Sequence, residues 1–233
     1  LYILAWNAPE TVGLKPDGII KSADDKNKEE EIEGLNLKEA MKERSFYILG
    51  AMWFGMAMLI TTLHFYQVTI LTSQGITSDF AAGVFSISAI SMVLFMPFVG
   101  KLFDNCPTRY VLALGLTINS ISLLSITFVN NEFYAVLYAI IFGVNNAISM
   151  TMFGYIWPRY FGRKHIGSIQ GTGQMIGVVG ASLGPLPVGF AIDYIGNSLM
   201  TIRYLSLYPI IIAIITILFL KTPSSLSINK KLE

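Results

Sequence analysis

The sequence is short of cysteine, of histidine and, over most of its length, of charge. A single cysteine, Cys106, leaves no disulfide to form within the chain. The two histidines, His64 and His165, stand far apart, and neither CxxC nor any zinc-ligand spacing occurs, so metals and redox cofactors have no candidate site. A net charge of +1 provides no basic surface for nucleic acid. Only 13% of the 233 residues are charged, while 53% are hydrophobic. That is about half the charged share of a soluble globular domain, and it points to a lipid bilayer as the surroundings.

The charge that is present is segregated. Ten of the 15 acidic residues and seven of the 16 basic ones fall within residues 10–44, which leaves the remainder nearly free of charge outside short breaks. A helix needs roughly 20 mainly apolar residues to cross about 30 Å of hydrocarbon. Six segments meet that requirement: residues 46–71, 80–100, 110–129, 133–157, 167–192 and 203–220. The expected fold class is all-α and integral to the membrane, with a six-helix transmembrane domain over residues 46–220. With no HExxH and no intramembrane aspartate pair, the chain does not read as an enzyme.

The links between spans, residues 72–79, 101–109, 130–132, 158–166 and 193–202, are short enough to force neighbouring helices antiparallel. Alternate links then lie on opposite sides of the membrane. One side collects 15 of the 16 bases and the other only Arg203. Cytoplasmic loops retain Lys and Arg, so the base-rich side is expected to be cytoplasmic, with both ends of the chain on it, in a multi-pass protein of the cell membrane.

Residues 1–8 open in an apolar stretch without an initiator Met or the basic flank of a signal peptide. They are expected to be the last turns of a preceding transmembrane helix. Residues 9–45 form the expected cytoplasmic linker, solvated through the mixed charge run 21–33. At its end, Leu35, Leu37 and Met41 alternate with Lys38, Glu39, Lys42, Glu43 and Arg44, the pattern of a short amphipathic helix. Residues 221–233 are the expected cytoplasmic tail.

Three stretches resemble the major facilitator superfamily, and within it the monocarboxylate porter and oxalate/formate antiporter branch. APETVGLKPDG, residues 8–18, looks like the signature that follows the sixth helix in that branch. GKLFDNCPTR, residues 100–109, is similar to the second-half copy of the superfamily's cytoplasmic loop motif: Gly100, Leu102, Asp104 and Arg109 fit, while Asn105, Pro107 and Thr108 depart from it. YFGRKHIGSIQG, residues 160–171, resembles the loop between the tenth and eleventh helices. The resemblance implies the C-terminal half of a twelve-helix alternating-access transporter, without cofactor or metal. It also implies a small-molecule substrate, a monocarboxylate or other organic anion in that branch, with a proton or counter-substrate as coupling partner. The remaining partners are the lipid bilayer and an N-terminal half outside this sequence.

Site candidates fall into two groups. Asp104, Arg109, Arg159, Arg163 and Lys164, with Gly100, sit at cytoplasmic helix ends, where ion pairs and helix dipoles can latch one half to the other; fixing topology is the competing role for the bases. Within the spans no Asp, Glu, Lys or Arg lies at depth, and the basic residues that bind carboxylates on the eighth and eleventh helices of the branch have no counterpart. The neutral polar candidates for the substrate cavity are His64, Gln67, Asn145, Asn146, Gln170 and Gln174, each of which also fits an interhelical hydrogen bond. Asn119 is expected to bond a neighbouring helix. His64, which shares a helix face with Gln67, is the one titratable group well inside a span, and histidine changes charge near physiological pH. The fifth span is rich in glycine: the pairs Gly167/Gly171, Gly173/Gly177 and Gly180/Gly184 have the spacing that lets helix backbones approach. Pro185 and Pro187 should bend its outer end. A receptor or scaffold of the same fold that transports nothing is the alternative function.

Overall fold

In lipid, long apolar runs satisfy their own backbone polar groups by coiling into helices. The computed structural model describes residues 34–195 and 198–221, and these are helical almost throughout. The expected helix end at residues 1–8, the linker to residue 33 and the tail beyond residue 221 lie outside the described residues. Among the described residues, six helices are long and apolar enough to cross a membrane. The first four are α2 (Arg44–Ser73), α3 (Ser78–Asn105), α4 (Thr108–Ile126) and α5 (Glu132–Phe161). The fifth span, Ile166–Tyr194, is broken. Pro185 and Pro187 cannot donate to the helix ladder, so α6 (Ile166–Leu183) gives way to α7 (Pro185–Phe190) and then to a π-helical turn, Ala191–Ile195. The sixth, Ser198–Phe219, comprises α8 (Ser198–Leu205) and α9 (Leu207–Phe219).

Several boundaries differ from expectation. The second and fourth spans run on to Asn105 and Phe161, past the expected ends at residues 100 and 157. Of the amphipathic segment expected over residues 35–44, only α1 (Leu37–Ala40) is helical before the chain turns into α2; Asn36 and Glu39 close its first turn with a capping box. The sixth span begins at Ser198 rather than 203, so Arg203 lies on α8. There its Nε donates to Thr127 Oγ1 at 3.2 Å and its guanidinium sits 4.9 Å from the Phe128 ring centroid, which ties the start of this span to the end of α4.

Three helix pairs dominate the packing: α2 with α6, α3 with α5, and α4 with α9. Exchanging the first three spans for the last three reproduces the same pairing. Because each triple has an odd number of crossings, the two run in opposite directions, which is an inverted repeat.

Small residues set how closely the pairs approach. Gly173, Gly177, Gly180 and Gly184 recur every three or four residues along one face of the fifth span. A Cβ at these positions would run into the Trp157 ring, the Trp53 ring, Phe54 O and Met58 O, in that order. Thr62 then donates to Gly184 O at 2.6 Å. In the partner crossing, a Cβ on Gly143 would meet Ser88 O and Ser91, and Ser91 Oγ donates to Ile140 O at 3.0 Å. Gly167 and Gly171, expected as a third close-packed pair, have open space around them.

The apolar core is in two parts. One gathers Phe46, Met52, Phe103, Trp157 and Phe161 towards the base-rich side; the other gathers Leu63, Ile70, Leu123, Tyr138 and Phe142 towards the opposite side. Between them lies a belt of polar contacts, which includes Asn119 with Asn145 and Ser120 Oγ donating to Ser206 O at 2.8 Å.

Candidate functional site

An amide or imidazole at membrane depth must find protein, water or solute, because leaving it unpaired in hydrocarbon costs several kcal/mol. Seven such side chains lie within the described spans, and burial divides them. Gln67, Asn119 and Asn145 are fully buried; His64, Asn146, Gln170 and Gln174 are not.

The buried set joins helices. Tyr138 OH donates to Gln67 Oε1 at 2.9 Å, linking α5 to α2. Asn119 Nδ2 donates to Asn145 Oδ1 at 3.3 Å, linking α4 to α5. Gln67 Nε2, Asn119 Oδ1 and Asn145 Nδ2 keep unused hydrogen-bonding capacity in the interior. Gln67 and Asn145 therefore lie off any open surface, although sequence spacing groups them with the cavity candidates. Gln67 is turned inwards while His64, three residues earlier, is exposed.

The unburied set lies on α2, α5 and α6. His64 is nine residues from the Ser73 end of α2, about 13 Å at the helical rise. Its Nδ1 is 3.0 Å from Ile60 O; a carbonyl only accepts, so Nδ1 carries the proton in the neutral ring and Nε2 is left as an acceptor. The ring lies 4.7 Å from Phe142 and stacks on Phe85 at 6.1 Å. Asn146 is half-buried at the middle of α5, fourteen residues from Glu132 and fifteen from Phe161. Gln170 and Gln174 sit one and two turns inside α6, half-buried and exposed respectively, with exposed Gly171 between them.

A second ring pair, missed in the sequence, faces this region nearer the base-rich side: Trp53 of α2 lies 4.6 Å from Phe153 of α5. Its signal was present. Trp53 and His64 are eleven residues apart on α2, and Phe142 and Phe153 are eleven apart on α5, the interval that returns a helix to the same face after three turns.

The residues expected to latch at the base-rich ends are only partly brought together. Asp104, at the end of α3, accepts a hydrogen bond from Tyr155 OH. Arg159 donates from Nη1 to Phe103 O at 2.7 Å and lies over the Tyr155 ring at 5.0 Å. Asp104 and Arg159 thus fasten α3 to α5 inside the six-span unit. Arg109 stands apart, over Tyr110 at 4.9 Å, with Nε buried and unpartnered. Arg163 and Lys164 are exposed on the α5–α6 loop, and Gly34 bridges to Gly162 beside them. A Cβ at Gly100 would meet nothing, so no close approach requires a glycine there.

Residues 180–184, Gly-Ala-Ser-Leu-Gly, match the G-x-S-x-G spelling of a hydrolase nucleophile elbow. That motif needs a strand-to-helix turn. Ser182 instead lies in α6 and donates to Val178 O at 2.8 Å, an ordinary helix back-bond.

Six apolar spans in two inverted triples, with unburied polar side chains inside three of them, define a multi-pass helical membrane protein. The family model of the Major Facilitator Superfamily matches residues 34–233, and the chain belongs to that superfamily. Membership makes it a transporter of a small molecule working in a membrane. Comparison with curated proteins gives no match.

Proposed function

We propose that these six spans are the C-terminal half of a secondary active transporter of the cell membrane, which holds its solute against a second half and exposes it alternately to either side. The observation that carries this reading is the division of the intramembrane polar groups. Those that are unburied lie on α2, α5 and α6, and the one on α4 is buried. A lipid-facing surface would not hold exposed amides, whereas a solute path requires them. Asp104 and Arg159 hold the ends of α3 and α5 together as a rigid base-rich corner, and exposed Arg163 and Lys164 are left for contact with the other half. A receptor or scaffold of the same fold would need no such face.

The base-rich side is proposed to be cytoplasmic. On that basis Cys106, in the link between α3 and α4, reacts with an impermeant thiol reagent only in permeabilised or inverted preparations. Labelling from outside intact cells would reverse the orientation. Accumulation of a solute by vesicles holding the full-length protein tests transport itself; a panel of organic anions, sugars and amides that all fail to accumulate would favour the scaffold. The six spans alone should accumulate nothing.

A further inference from the structure

The two ring pairs bracket an unexplained amide. Trp53 with Phe153 and His64 with Phe142 join α2 to α5 at two levels. The levels are eleven residues apart on both antiparallel helices, or about 16 Å at the helical rise. Within that interval Asn146 stands one turn from the Phe142 level, and Ala57 of α2 one turn from the Trp53 level. Both are half-buried, so the stretch between the ring pairs is neither filled solid nor fully open. Asn145, next to Asn146, spends its oxygen on Asn119, but Asn146 makes no hydrogen bond with any described residue. Its donor and its acceptor, at mid-membrane, thus remain for something other than this chain. No charged side chain is in reach on these spans: Arg44, Arg159 and Glu132 lie at the helix ends.

We infer that the interval between the ring pairs is a solute slot in which Asn146 hydrogen-bonds an uncharged edge of the solute, one carrying both a donor and an acceptor, as an amide, a polyol or a heterocycle does. The Trp53/Phe153 pair closes the slot towards the base-rich side and the His64/Phe142 pair towards the other. This rests on the transporter reading and narrows it: whatever charge the solute has is held by the other half, and this half reads hydrogen bonds. A carboxylate can take only the amide NH2 of Asn146 and leaves its oxygen unused, while the permanent cations of α2 and α5, Arg44 and Arg159, lie at the helix ends.

A reporter cysteine at Ala57 in an otherwise cysteine-free full-length protein tests the slot whatever the solute is. A small charged methanethiosulfonate should modify Ala57→Cys in membranes. Trp53→Ala should raise the rate tenfold or more from the base-rich side only, and His64→Ala from the opposite side only. An unreactive cysteine, or rates indifferent to both ring substitutions, overturns the slot. Formamide, a hexose, a nucleobase, acetate and a primary amine are then offered as protecting probes. Protection by an uncharged probe that disappears in Asn146→Leu, with the unprotected rate unchanged, supports the assignment. Protection only by acetate or the amine, protection that survives Asn146→Leu, or no protection by any probe, contradicts it. If vesicles accumulate a solute that fails to protect Ala57→Cys, transport stands and the slot falls; if they accumulate nothing, the transporter reading itself fails.

Discussion

Asn145 and Asn146 are neighbours with the same side chain at the centre of the same helix, yet their surroundings have nothing in common. One is fully buried and bonded to Asn119 of α4; the other is half-buried and bonded to no described residue. Gln67 and His64 repeat the contrast on α2: the glutamine takes a hydrogen bond from Tyr138, and the histidine is exposed beside Phe85 and Phe142. Polarity in a membrane span therefore has two separate uses, joining helices and meeting solute. A turn of about 60–100° around the helix decides which.

The largest effect should come from the open member of the pair. Asn146→Leu removes a group that no described residue uses, so the full-length protein should keep its melting temperature and lose at least tenfold in solute uptake; a normal uptake rate would erase the distinction. Next is Gly180→Val, which forces a side chain into Phe54 O where α2 and α6 touch. Overpacking of this kind costs about 1–3 kcal/mol or more, and Gly171→Val, with open space around it, should stay within about 0.5 kcal/mol. Equal losses in the two would mean that the glycine stripe is not what sets the crossing. Asn145→Leu leaves Asn119 unpaired in the interior and should cost about 1–3 kcal/mol of stability, while uptake per folded molecule persists. Replacing both Asn119 and Asn145 by Leu should recover part of that loss, as matched apolar partners do. The smallest change belongs to His64→Gln, which keeps a hydrogen-bonding group but loses the ring set against Phe85 and Phe142. Uptake should fall only a few fold, and an unaltered rate would leave His64 with a packing role.

Much of the fold was legible because membrane length and the apolar run are one signal. The six spans follow from hydrocarbon thickness, and the break at Pro185 and Pro187 from a missing N–H. The ends of the second and fourth spans and the start of the sixth lie four or five residues from their expected places, since polar residues near a membrane surface fit helix and loop equally. The site was harder to read. Composition marks Gln67, Asn145 and Asn146 alike as polar groups at depth, but only the neighbours contributed by other helices, Tyr138 and Asn119, separate glue from solute contact. Asp104 was legible as part of a loop motif, but its partner Tyr155, fifty-one residues away, was not. The glycine stripe was half legible: spacing picked out Gly173 to Gly184 together with Gly167 and Gly171, and only the positions of α2 and of Trp157 on α5 show which of them are packed against.

The distinction between interior and solute-facing amides is tested most directly by placing one cysteine at a time at 145 and 146 in a cysteine-free full-length protein and measuring reaction with a charged thiol reagent in native membranes. Asn146→Cys should react readily. Asn145→Cys should stay inert until the protein is unfolded, when both react alike. Equal reactivity in the folded state, or a reactive 145 beside an inert 146, would contradict the account.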